Sequence, residues 1–260
     1  TSSRRQRQMC IRDRGRVWSV DALYDNGAMS RYSSLTAISE SPVQEGVIYA
    51  GSDDGILSVT VDGGSTWSNV RRLPGLDEFA FVNEVTASSH DANVAFASVD
   101  NHKMGDFKPY ILKTSDQGKS WKSISGDLPD RHLIWSVVQD HVNPDLLFAG
   151  TEFGIFFTLN GGENWIKVTG GVPTISFRDL VIQERESDLV GATFGRGFYI
   201  LDDYSPLRQA AQAVASNDGW LFPVKDALQF VPAMPLGLRG KANQGGNYFS
   251  APNPPHGAIF

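Results

Sequence analysis

From residue 33 onward the chain alternates apolar and polar residues in short runs, and each run stops at a cluster of Gly, Asp, Asn or Ser. Alternation of period two between such stops predicts short β-strands joined by tight turns. The first four strands fall at Leu35 to Ser39, Val47 to Gly51, Ile56 to Thr60 and around Trp67, within about forty residues. The order then recurs. Glu84 to Ala87, Val94 to Val99 and Tyr110 to Thr114 lead to a strand near Trp121, with a longer inner turn over Asp100 to Pro109. Ile134 to Gln139, Leu146 to Gly150 and Ile155 to Thr158 lead to another near Trp165. A fourth unit supplies Asp179 to Gln183, Leu189 to Thr193 and Phe198 to Leu201, but its last turn, Asp202 to Pro206, has neither glycine nor tryptophan.

Asp62, Asp116, Asn160 and Asp203 mark the phase of this repeat. Their separations of 54, 44 and 43 residues suit four-stranded units, the longest absorbing the Asp100 to Pro109 insertion. The last turn of each of the first three units has a local logic. Its Asp or Asn accepts hydrogen bonds from the amides that follow. Gly64, Gly118 and Gly162 supply positive φ. Trp67, Trp121 and Trp165 are large enough to cover the gap between adjacent twisted sheets. Asn160 keeps the acceptor without the charge, so the acid at this position is read as structural.

Thr60 to Trp67, Thr114 to Trp121 and Thr158 to Trp165 resemble the Asp-box, or bacterial neuraminidase repeat, Ser/Thr-x-Asp-x-Gly-x-x-Trp. The strings Ala149 to Phe156, Phe177 to Leu180 and Thr193 to Arg208 resemble the large sortilin-like secreted bacterial proteins that carry a glycosyl hydrolase label. The resemblance implies an all-β fold, a β-propeller of four-stranded antiparallel blades, with about four blades here as part of a larger propeller. It implies architecture more than activity, because one fold hosts many functions.

Composition agrees with many strands and turns: 26 Gly, 13 Pro and 11% aromatic residues among 260. No apolar run reaches the roughly 20 residues that span a bilayer, so no membrane span is expected in this segment. Cys10 stands alone, which excludes an internal disulfide framework. Residues 1–16 crowd six Arg with one Asp, and Arg7 to Arg14 resembles translated adapter sequence, so these residues are read as a non-native or disordered basic leader. The remainder holds 17 basic and 28 acidic side chains, a formal −11, which argues against a nucleic-acid partner. Residues 17–204 are expected to carry the blades. Residues 205–231 are expected to form a short helix, with Ser205 as N-cap and Pro206 at its first position, and one or two returning strands at Trp220 to Val224 and Ala227 to Val231. Residues 232–260 read as a Pro/Gly-rich linker toward a further domain.

In a four-stranded blade the turn between second and third strands and the Asp-box turn lie on opposite faces. The face away from the Asp-boxes collects Asp53, Asp54, Asp100 with His102, Glu152, Phe153 and Phe194-Gly195-Arg196, with connecting loops at Asp77 to Phe79, Asp127 to His132 and Thr174 to Arg178. Its expected function is binding of a polypeptide or glycan by a non-catalytic, secreted or periplasmic propeller, through Asp53, Asp100, Phe153, Arg178 and Arg196. The alternative is a glycoside hydrolase using Asp54 and Glu152 as its carboxylate pair. A sialidase would need three converging Arg and a Tyr–Glu nucleophile, a set the sequence does not assemble. His90, His102, His132 and His141 lack metal-ligand spacing, and His256 lies in the tail, so neither metal nor cofactor is expected. The expected partners are a peptide, protein or glycan ligand and the rest of the protein's own chain.

Overall fold

The computed structural model describes residues 34–76, 79–216 and 219–226. The basic leader, the start of the expected blade region at 17–33, the expected strand at Ala227 to Val231 and the linker lie outside the described residues. Four antiparallel sheets follow one another along the chain, each a meander of sequential strands. Blade one is β1 (Leu35–Glu40), β2 (Ile48–Ser52), β3 (Leu57–Thr60) and β4 (Ser68–Val70). Blade two is β5 (Phe81–Ala87), β6 (Ala95–Asn101), β7 (Asp106–Thr114) and β8 (Lys122–Ser123). Blade three is β9 (Ile134–Gln139), β10 (Leu147–Thr151), β11 (Gly154–Thr158) and β12 (Ile166–Lys167). The fourth has three strands: β13 (Phe177–Gln183), β14 (Asp188–Thr193) and β15 (Phe198–Leu201). The inner-turn insertion of blade two is shorter than the sequence suggests, because Asp106 already pairs with Asn101 around a 3-10 turn at His102–Met104.

Successive sheets pack face to face, with the first strand of each beside the first strand of the next. Small residues on the second strands permit this approach. A Cβ at Gly51 would meet Val82 of blade two at 2.4 Å, and one at Gly150 would meet the Phe177 carbonyl of blade four at 2.8 Å. Trp121 joins Tyr49, Leu57 and Val59 of the preceding blade in one buried cluster. Trp165 joins Phe96 and Ile111 in the next, and its indole N–H donates to the Ile124 carbonyl at 3.0 Å. The blade without a tryptophan uses Tyr204 instead, buried on Phe148 with ring centroids 4.9 Å apart. Its hydroxyl donates to Asp140 at 2.7 Å, and Arg208 grips the same carboxylate through Nε and Nη2.

In each three-stranded or four-stranded sheet the first strand carries one extra residue against the second. These bulges fall at Thr36, Asn83, Trp135 and Arg178. The four positions are therefore equivalent, and at the first two the side chain reaches toward the following blade. The Thr36 hydroxyl donates to the Val82 carbonyl at 2.7 Å, and the Asn83 amide donates to the Ile134 carbonyl at 2.8 Å. Trp135 departs from this pattern.

Past the fourth blade the chain forms a 3-10 segment, Ser205–Gln209, and then α1 (Ala210–Ala215). Ser205 is not its N-cap: Tyr204 holds that position without a side-chain cap bond, and the Ser205 hydroxyl donates to Asp203 instead. The expected strand at Trp220 to Val224 is absent; residues 219–226 form no regular element.

Candidate binding site

The three predicted turns share one hydrogen-bonding scheme. Thr60, Thr114 and Thr158 donate their hydroxyls to Asp62, Asp116 and Asn160, and accept the amides of Gly64, Gly118 and Gly162. Asp62 and Asp116 each take a second hydroxyl four residues on, from Thr66 and Ser120 at 2.6 Å. Those bonds pull the Asp62 carboxyl down to about 2 and lower that of Asp116. Asn160 instead donates its amide to Asn164, at 3.1 Å. These side chains are committed to their own turns, which leaves the opposite face as the place to look for chemistry.

On that face the amides of Asp53, Glu152 and Phe194 bond to the carbonyls of Ser34, Leu133 and Ser176, each just before its blade's first strand. This register makes Asp53 and Phe194 the counterparts of Glu152. The Asp53 carboxylate turns toward the start of β1 and accepts the Ser34 amide at 2.8 Å. Asp54 is buried and accepts the Ser52 hydroxyl. Arg196 is exposed between Gly195 and Gly197, both at positive φ, and lines no part of the cavity described next. The loop after Asp127 also differs from expectation. The Asp127 carboxylate accepts the Trp165 amide at 2.6 Å on the side of the three threonine-anchored turns, and only the far end of the loop, Arg131 to Leu133, reaches the other face.

Glu152, Phe153 and Arg178 come together. They line a cavity of about 320 Å³ with His102, Phe107, Arg131, Leu133 and Trp135. The bulge in β9 aims the Trp135 indole at Glu152 Oε2, to which its N–H donates at 2.9 Å. The equivalent bulge in β13 lays the Arg178 guanidinium 3.5 Å from the Trp135 ring centroid, with the Phe194 ring 5.3 Å away on the same cation. Arg131, held at a left-handed φ of 67°, stands over Phe107 at 5.7 Å. His132 packs edge-on against Phe153 and Phe156. Asp100, buried beneath, fixes His102 through Nδ1, and the His102 ring meets Trp135 at an edge.

The lining thus holds two guanidiniums, an imidazole and a single carboxylate that is already an acceptor for an indole. Asp54 does not share the cavity, so the acid–base pair expected of a glycosidase is not brought together there. Trp135 and Leu133 escape a reading based on turns, while Phe107 and Arg131 fall inside loops that such a reading places on this face without singling them out. Aligning Leu35-Thr36-Ala37 with Val82-Asn83-Glu84, Ile134-Trp135-Ser136 and Phe177-Arg178-Asp179 exposes Trp135 and Arg178 as large residues at a position that is otherwise small and polar.

No family model matches the sequence, and no curated protein matches it. Among solved structures, the extracellular domain of the putative one-component system BT4673 from B. thetaiotaomicron is 12% identical, with a TM-score of 0.50 over 69% of this chain and 22% of that one. An ancestral GH74 enzyme is 20% identical, with a TM-score of 0.49 over 61% of this chain and 22% of that one. The Cps50 (Swd1) β-propeller domain from Myceliophteria thermophila is 14% identical, with a TM-score of 0.49 over 66% of this chain and 53% of that one. The chain spans about a fifth to a half of the length of these structures. Sequential four-stranded meander sheets packed face to face, first strand beside first strand, are the architecture of β-propeller blades. Among the described residues no helix is long and apolar enough to cross a membrane.

Proposed function

We propose that the protein is a non-catalytic, extracytoplasmic β-propeller that binds a polypeptide or glycan on the face opposite its Asp-box turns. One observation carries this reading. At two equivalent bulges, where blades one and two place side chains that tie neighbouring strands together, blades three and four place Trp135 and Arg178, stacked over a cavity. Bulges re-aim side chains at functional positions, and a concavity lined by aromatic rings with a few convergent polar groups is the usual form of a ligand site. The lone Glu152 favours binding over glycoside hydrolysis, which needs two carboxylates flanking the bond. The extracytoplasmic setting rests on the sequence resemblance. Titration of the purified protein against peptide and polysaccharide libraries tests the reading. Saturable binding to either class, weakened by Trp135→Ala, is expected; no binding to either removes the proposal.

A further inference from the structure

The chemistry of the ligand can be taken further, on the premise that the cavity at Trp135 is the binding site. Arg178 is exposed, yet its guanidinium is already positioned by rings on Trp135 and Phe194. Among the described residues no carboxylate pairs with it: Glu152, within the same lining, is engaged by the Trp135 indole instead. A planar fork held close to one ring with a second nearby, and with no carboxylate at its edge, is pre-organised for two parallel N–H···O bonds to one carboxylate. Stacking also removes the rotamer entropy that a free Arg would lose on binding.

The rest of the lining decides between ligand classes. A sugar ring would need an open aromatic face with hydroxyl partners around it. The near face of Trp135 is covered by Arg178 and a face of Phe107 by Arg131, so the polar groups of the lining stand beside occupied rings, while Leu133 and Phe153 offer no side-chain hydrogen bonds. Phe107 and Phe153 remain 42% and 40% exposed, large rings at the cavity wall that an apolar side chain would cover. We infer that the site takes a polypeptide segment with an acidic side chain clasped by Arg178 and a neighbouring apolar side chain seated among Phe107, Leu133 and Phe153.

The test is a library of C-terminally amidated peptides panned on the full chain, followed by titration of the selected peptides and their Glu→Gln or Asp→Asn analogues by fluorescence anisotropy. Enrichment of an acidic residue beside an aromatic or aliphatic one is expected. Arg178→Gln should weaken the acidic peptide about tenfold or more, while leaving the amide analogue within about twofold, since a charge-assisted pair is lost only in the first case. Arg178→Lys should recover part of that loss, because it restores charge without the fork. Thermal unfolding of both variants checks that the blades remain folded. Peptides that bind with no acidic preference, or lose affinity equally in both analogues, overturn the inference while leaving polypeptide binding in place. Binding that requires a free C-terminal carboxylate overturns the side-chain assignment. Binding of oligosaccharides but not peptides overturns the polypeptide choice, and binding of neither overturns the site.

Discussion

Glu84 Oε2 accepts the Val137 amide at 2.9 Å, so a carboxylate on the first strand of blade two ties down the first strand of blade three. Burial raises its pKa, to about 7; Asp179 adds to the rise, and bonds from Ser136 and Val137 offset part of it. The folded chain therefore retains a proton that the unfolded chain releases near 4.5. Its stabilising contribution is full below that value and is lost as pH rises through about 7, a change on the order of 3 kcal/mol. Urea unfolding at pH 5 and pH 8 is expected to show lower stability at pH 8. Glu84→Gln, which keeps an acceptor for Val137 and cannot ionise, should flatten that difference. A variant with the wild-type slope would assign the pH dependence elsewhere.

Tyr204 replaces the missing tryptophan of the fourth blade, and its two contributions separate by mutation. Tyr204→Phe keeps the packing on Phe148 and deletes one bond to Asp140, a cost of about 1–2 kcal/mol. Tyr204→Ala also opens a cavity, and about 3–5 kcal/mol is expected from chemical denaturation. Arg208→Met leaves Asp140, 0% exposed, without its cationic partner, and about 3–5 kcal/mol is expected there too. Burial works to raise the Asp140 carboxyl, but bonds from Arg208, Tyr204 and the Asn143 amide outweigh it and hold the pKa low. Its stabilisation is therefore present above the unfolded aspartate value and is lost as pH falls through the lowered one.

One turn position carries different costs in different blades. At Gly118 a Cβ would lie 2.3 Å from Val59 of the preceding blade, whereas at Gly64 its nearest neighbour is Trp67 at 3.7 Å. Both glycines have positive φ, at 76° and 92°. Gly64→Ala should cost about 1 kcal/mol of backbone strain, and Gly118→Ala at least about 2 kcal/mol more, through overpacking. Equal melting temperatures for the two variants would contradict the inter-blade contact.

Asn160 and Asn164 form a pair that stands in for Asp62 with Thr66 and Asp116 with Ser120. Asn160→Asp alone sets an oxygen against Asn164 Oδ1, and turning the Asn164 amide would set that oxygen against Asp127, so a loss of about 1 kcal/mol is expected. Asn160→Asp with Asn164→Thr rebuilds the scheme of blade one and should regain most of it. A double-mutant cycle reads the coupling directly.

Strands and the Thr-x-Asp/Asn-x-Gly turns were legible because their determinants are local. Alternation fixes which face a residue takes, and Thr158, Asn160 and Gly162 act within five residues of one another. The site was legible only in part. Glu152, Phe153 and Arg178 follow from knowing which turns share a face. Trp135 reads as one more apolar residue in a strand until the bulge register aligns it with Thr36, Asn83 and Arg178, and its contact with Arg178 spans 43 residues of chain. Asp54 does not share the register of Glu152: Asp53 is its counterpart, and turn chemistry alone favours both.

The bond between Trp135 and Glu152 separates a positioning role from a catalytic one. Glu152→Gln keeps an oxygen acceptor for the indole at the same reach, so Trp135 and the Arg178 stacked on it should stay in place. Peptide affinity is then expected to hold within about threefold, because the indole keeps an acceptor and the bond weakened by the loss of charge is internal to the protein, with no ligand atom in it. Glu152→Ala frees the indole and should weaken binding about tenfold without touching the ligand-facing edge of Arg178. Isothermal titration of both variants, alongside a reducing-sugar assay on polysaccharide substrates, gives the readout. Sugar release by the wild-type protein that disappears in Glu152→Gln would make this carboxylate a catalytic group and reverse the assignment.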